Sequence, residues 1–105
     1  MGEVAVSQSD LPWEPARSYP AGTDWKVLRR GSEGEPKAAL LKLPPSFEMD
    51  SHAHVYAEHH YVLEGQYESR GKRFPEGSYR MIPQHTNHGP FASANGTLIL
   101  VVWEG

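Results

Sequence analysis

The sequence predicts an all-β domain, a sandwich or jelly-roll barrel of about eight to ten short strands. Three observations carry that expectation. Nine prolines and ten glycines in 105 residues interrupt the chain too often for long elements. Between the interruptions lie short apolar runs bounded by turn residues, and no helical period is sustained anywhere. The last run, Thr97 to Trp103, is apolar on both faces, as a strand inside a two-layer barrel would be. A chain of this length can bury one core but not two, so a single domain is expected.

Taken in order, residues 1–22 read as a polar, Pro-rich arm and residues 23–105 as the barrel. The first ten residues are expected to be disordered. Trp13 and Tyr19 are too apolar for a free tail, so the arm should pack across the barrel or onto a partner subunit. Trp25 to Arg30 reads as a strand, Gly31 to Gly34 as its turn, and Lys37 to Leu43 as the returning strand. Pro44-Pro45 stops that strand, and a linker leads to a strand carrying His52 and His54. Glu58 to Leu63 forms the next strand, which Glu64-Gly65 is expected to end at a turn. Gln66 to Arg70 pairs back across Gly71-Lys72 with Arg73-Phe74, and Pro75-Glu76-Gly77 turns the chain into Ser78 to Ile82. Asn95-Gly96 is a strong hairpin signal ahead of the final strand.

All six histidines fall between residues 52 and 88. On a strand, His52 and His54 lie two residues apart and share a face, so two imidazoles aim at one point. Glu58 follows after a gap long enough to begin a neighbouring strand, and His88 comes from the far end of the next hairpin. Three nitrogens and one carboxylate oxygen can then converge as a metal-ligand set. From Glu58 to Leu63, alternation places His60 and Val62 on the face of Glu58, with His59 and Tyr61 on the other. His60 is therefore the candidate catalytic residue, supporting a ligand or carrying a proton. His59 reads as structural or as a subunit contact. Tyr79 and Met81 share a face; with His85 in the loop before His88, and Phe91 beyond it, they are the candidate lining of a substrate pocket. Val62, Met81 and Phe91 would exclude water.

These residues resemble the cupin superfamily. Its first motif is glycine, five residues, His-x-His, three or four residues, Glu, six residues, Gly. His52, His54, Glu58 and Gly65 match in register, with Ser46 at the leading glycine position. The second motif is Gly, five residues, Pro-x-Gly, two residues, His, three residues, Asn. Gly77, Pro83 and His88 match, while His85 stands at the second glycine and Ala92 at the asparagine. The departures spare the ligand positions and bear only on loop geometry. The resemblance spans roughly residues 25 to 103 and is closest to single-domain cupins of the ChrR-like sensor and acetylacetone-cleaving dioxygenase types. It implies a double-stranded β-helix with His52, His54, Glu58 and His88 as metal ligands.

Three imidazoles and a carboxylate suit a borderline divalent metal; the resemblance to dioxygenases puts iron(II) first, then manganese, zinc or nickel. Four protein ligands on a six-coordinate ion leave two adjacent positions, and a net site charge of about +1 favours a small enolate or other anion. The leading expectation is a metal-dependent dioxygenase acting on a small enolisable carbonyl compound. The alternatives are a noncatalytic metal- or ligand-sensing module of ChrR type, and a metal-dependent isomerase or sugar-binding cupin. A net charge of −3 leaves no basic footprint for nucleic acid. No apolar run of about 18 residues exists, and the N-terminus has no signal-peptide pattern, so a cytoplasmic protein is the default expectation. Without cysteine, thiolate ligands are excluded. Trp13, Trp25 and Trp103 near strand ends, together with the arm, point to a homodimer.

Overall fold

The computed structural model describes the backbone of residues 2–53 and 56–104, with the side chains of all of these but 52, 53 and 88. Among the described residues the architecture is all-β, a curled antiparallel sheet, apart from one 3-10 turn at Gln8–Asp10. The strands are β1 (Glu14–Pro15), β2 (Asp24–Arg30), β3 (Pro36–Leu43), β4 (Phe47–Met49), β5 (His52–Ala53) and β6 (Ala57–Ser69). They continue as β7 (Lys72–Pro75), β8 (Tyr79–Ile82), β9 (Asn87–His88), β10 (Phe91–Ser93) and β11 (Thr97–Glu104). One antiparallel sheet runs β1-β2-β3-β11-β6, with β8 on the far side of β6. The second half of β6 pairs with β7 and β10, and β10 pairs with β4. The strands β5 and β9 form a ribbon of their own.

The core is set by β11. Thr97, Ile99, Val101 and Trp103 are buried, while the intervening Leu98, Leu100 and Val102 are half-buried on the outer face. Register carries this alternation into the neighbouring strands: Ile99 lies opposite Leu41 and Val62, and Val101 opposite Ala39 and His60. Residues directly opposite in a sheet share a face, so one buried row selects the next. The same rule sends Glu58, opposite Trp103, into the interior.

Two sequence expectations are corrected here. Glu64-Gly65 does not end a strand. Instead β6 runs through it for 13 residues and passes from the first sheet to the second. A bulge makes this possible: Leu98 pairs with Glu64 but Ile99 with Val62, leaving Leu63 as the extra residue. Parity inverts as a result, so Val62 faces in before the bulge and Tyr67 and Ser69 face in after it. Gly65 bends the strand with φ 76, and a Cβ there would lie 2.4 Å from the Gly96 carbonyl oxygen. Asn95-Gly96 likewise makes no hairpin, because β10 pairs with β4 and β6 whereas β11 pairs with β3 and β6. It is a corner between sheets. The polar groups at that corner are satisfied, since the Ser93 and Thr97 hydroxyls both donate to the Gln66 carbonyl, at 2.9 and 2.6 Å.

The arm lies along its own barrel. β1 pairs with β2, Ala16 is buried, and the Ala16 N–H donates to the Thr23 carbonyl. Lys26 Nζ donates to both the backbone and side-chain oxygens of Gln8, each at 2.9 Å, and lies 4.8 Å from the Trp13 ring. Trp25 packs edge-on against Trp103 at 6.5 Å inside the barrel, so the two rings contribute to the core. Of the three tryptophans expected at a dimer contact, Trp13 is the most exposed, at 38%. No helix among the described residues is long and apolar enough to cross a membrane.

Replacing Gly65 with Ala should cost about 1–2 kcal/mol for the left-handed backbone alone, with the collision at the Gly96 carbonyl in addition. Gly71 has φ 75 but nothing within 4 Å of its Cβ position. Thermal melts of the two Ala variants should therefore rank Gly65→Ala clearly below Gly71→Ala, and equal melting temperatures would contradict the close approach.

Candidate functional site

Two segments and one buried face carry the candidate residues. In the β5–β9 ribbon, His52 lies directly opposite His88, and Ala53 opposite Asn87. This register places both histidine positions on one face of the ribbon, where Cα atoms of such pairs are typically about 4.5–5.5 Å apart. Gly89 permits the approach. It has φ 105, and a Cβ would lie 3.1 Å from Ser51 Cα, so a side chain would push the chain after β9 off the chain before β5. Arg70 Nε holds the same turn by donating to the Gly89 carbonyl at 3.2 Å. His54 lies outside the described residues.

Glu58 projects inward from β6 with 2% of its surface exposed, between Ile82 on β8 and Trp103 on β11. His60, 6% exposed, follows on the same face. Its Nε2 meets Glu58 Oε1 at 2.8 Å, and its Nδ1 meets the Tyr67 hydroxyl at 2.9 Å. Tyr67 comes from the other half of β6, beyond the bulge, so this contact spans the two sheets. Its ring stacks on Phe74 at 5.0 Å and tilts against Phe91 at 5.6 Å. Arg80, paired in register with His60, lays its guanidinium over Phe74 and Phe91 at 4.8 and 5.4 Å. Beside Glu58 and His60 is a cavity of about 20 Å³, room for roughly one water, whose walls include Tyr19, Leu43, Tyr67 and Phe91.

Burial drives the electrostatics of both tyrosines. Desolvation pushes the Tyr19 phenol well above its ordinary range, and the charge of Glu58 pushes it further. Desolvation also raises Tyr67, while the nearby Arg80 guanidinium draws it part of the way back.

Of the remaining sequence candidates, Phe91 lines the cavity and Val62 belongs to the core. Tyr79 and Met81 do not line it. At 60% and 48% exposure they face outward, because β8 turns Arg80 and Ile82 toward His60 and Glu58. On that outer face His59 bonds to the Tyr79 hydroxyl and to Glu104. His85 is exposed in its loop. The residues that sequence reasoning missed are Tyr19, Tyr67 and Arg80. Ile82, an apolar residue two positions along β8, was the available signal for Arg80; nothing in the alternation before the bulge signals Tyr67.

Residues 1–105 match the sequence profile of the ChrR Cupin-like domain. The chain belongs to that family. Solved structures agree on the fold of this cupin. A candidate dioxygenase from Nostoc punctiforme superposes with a TM-score of 0.84 at 23% identity, over 92% of this chain and 34% of that one. A candidate acetylacetone dioxygenase from Methylibium petroleiphilum gives 0.83 at 19% identity, over 100% and 78%. The Rhodobacter sphaeroides complex of SigE with the anti-sigma ChrR gives 0.70 at 24% identity, over 93% and 52%. The cupin thus spans about a third of the Nostoc chain and about half of the Rhodobacter one. Comparison with curated proteins gives no match.

The departures from the family motifs have a backbone explanation. Ser46 and His85, which stand where the motifs have glycine, hold φ 61 and 58. This cupin keeps the left-handed turns and accepts the cost of a side chain there.

A phenol whose folded pKa is raised contributes stability below the unfolded value of about 10, and that stability is lost as pH rises further, because the unfolded chain ionises first. Urea unfolding of the metal-free cupin should therefore weaken as pH rises above about 10. Tyr67→Phe should flatten the decline, and an unchanged slope would count against a buried neutral phenol.

Proposed function

We propose that this cupin is a mononuclear metal-dependent dioxygenase acting on a small enolisable carbonyl compound. Two observations support the reading: the register that sets His52 opposite His88 in the β5–β9 ribbon, and a carboxylate, Glu58, buried in the interior of β6. His52, His54, Glu58 and His88 would hold the metal. The donor chemistry fits a transition ion, and the dioxygenase reading ranks iron(II) ahead of manganese, zinc and nickel. The depth of Glu58 fits as well: desolvating a carboxylate costs several kcal/mol, and a divalent cation offsets that charge.

A bound ion of this kind would supply Lewis acidity and open coordination positions for a chelating enolate and dioxygen. The residues of the chain do the rest. His60 restrains the Glu58 carboxylate through the 2.8 Å contact. Val62, Phe91 and Ile99 keep bulk water from the interior. Tyr19, carried on the arm, lines both that cavity and an open groove formed with Met49, Ser51, Pro90 and Phe91, which offers a route inward.

A second reading is a noncatalytic sensing module, favoured by the family itself, the ChrR Cupin-like domain. Metal analysis of untagged protein followed by an oxygen electrode separates the two. About one equivalent of iron per chain, with oxygen consumed on addition of acetylacetone or a related β-dicarbonyl, supports the dioxygenase. Metal binding with no oxygen uptake across such compounds supports the sensor. In either case His88→Ala should lose most of its metal and remain folded by circular dichroism; full metal loading in that variant would remove His88 from the site.

A further inference from the structure

The final strand, β11, is apolar on both faces, yet the barrel core takes up only one of them. Leu98, Leu100 and Val102 lie on the outer face, which in an antiparallel sheet covered on one side is normally solvated and polar. Register shows how far the apolar character extends. One cross-strand row of that face runs Lys26, Leu40, Leu100, Tyr61 and Tyr79, from β2 through β3, β11 and β6 to β8. The next row runs Ala38, Val102, His59 and Met81. Cover is uneven along the first row. At its β2 end Lys26 and Leu40 are buried, and Gln8 of the arm bonds to Lys26 there. At its β8 end Tyr61 and Tyr79 are 44% and 60% exposed, with Met81 exposed beside them. Beyond Lys26 neither row contains a lysine, arginine, aspartate or glutamate, and His59 turns its ring nitrogens to Tyr79 and Glu104. Among the described residues no strand pairs with the far edge of β8.

The chain also carries a segment that suits this surface. Residues 2–7 lie ahead of the Gln8 anchor, with Ser7 in the extended region at φ −102 and ψ 129. Val4 and Val6 are exposed, and when the segment is extended their two-residue spacing puts them on one side. We propose that the open β6–β8 end of the outer face packs against the same face of a second copy about a two-fold axis, with residues 2–7 of each arm laid across Tyr61, Tyr79 and Met81 of the other. Three features select a second copy as the occupant. The two rows offer no charge to recruit a partner of opposite sign, and a neutral face is compatible with itself. The chain supplies both halves of the contact, an open apolar surface and an exposed apolar segment, as a two-fold contact requires of each copy. A stable interface takes roughly 20–30 residues a side; the sheet end alone falls short of that, and exchanged arms make up part of the difference. The inference is independent of the metal and of the dioxygenase reading.

Sedimentation velocity of the untagged chain tests the dimer, and cysteine pairing tests the arm. Wild type should sediment as a dimer. Tyr61→Glu, which sets like charges against each other across the axis, should weaken association by about ten-fold or more while circular dichroism stays that of the wild type. The chain has no cysteine, so introduced ones report alone. An equimolar mixture of Val6→Cys and Met81→Cys, mildly oxidised, should give a disulfide between the two different chains, identified by mass. A wild type that stays monomeric across micromolar concentrations overturns the proposal and leaves the face to a partner of another kind. Unchanged affinity in folded Tyr61→Glu also overturns it. So does failure of the mixed disulfide to form, or a double variant, Val6→Cys with Met81→Cys, that closes its disulfide within one chain, since the arm then lies on its own barrel. These last two outcomes hold whether or not Tyr61→Glu folds.

Discussion

The burial of the Glu58 carboxylate is the constraint on which the rest of this barrel depends. A charge held in the middle of a sheet, between Ile82 and Trp103, is tolerable only with a donor beside it and a fixed geometry around that donor. His60 Nε2 lies 2.8 Å from the carboxylate, and the second ring nitrogen meets the Tyr67 hydroxyl, which comes from the opposite sheet. Each buried polar group thereby sets a requirement for the next. The series ends at a guanidinium resting on two aromatic rings, where a cation can be held partly out of water at modest cost.

This polar line runs through an otherwise apolar interior. Leu41, Ile99, Val101 and Val62 supply the surrounding packing without any polar group of their own to satisfy. The division of labour has a physical basis: apolar burial is insensitive to direction and tolerates many arrangements, whereas hydrogen bonds in low dielectric reward only one. The barrel is stabilised by the first, and the orientation of the site residues comes from the second.

Much of this was legible in the sequence. The all-β class, turns such as those at Gly31–Gly34 and Pro75–Gly77, and the inward placement of Glu58, His60 and Val62 follow from period-two alternation and from glycine and proline, because those signals are local. The errors cluster where a local signal is overridden by sheet geometry. Gly65 reads as a turn but bends a continuous strand, and Asn95-Gly96 reads as a hairpin but turns a corner, since strand pairing is decided by residues far away in the chain. Tyr79 and Met81 were assigned inward because apolar character usually marks the core. Their place is taken by the half-buried Arg80, whose guanidinium rests on aromatic rings from β7 and β10 that no period within β8 reveals.

The bulge at Leu63 has a further consequence, for lengths as opposed to identities. His60 and Tyr67 meet only because one extra residue inverts the facing of β6 between them. A point change anywhere in that interval leaves the count intact and perturbs one side chain. Removing or adding a single residue there exchanges the two faces of everything downstream in the strand, sending Glu68 into the core and Tyr67 into water. The register of this stretch is therefore under a stricter constraint than its composition, and chain-length variation in related barrels should be sought in the loops and not here.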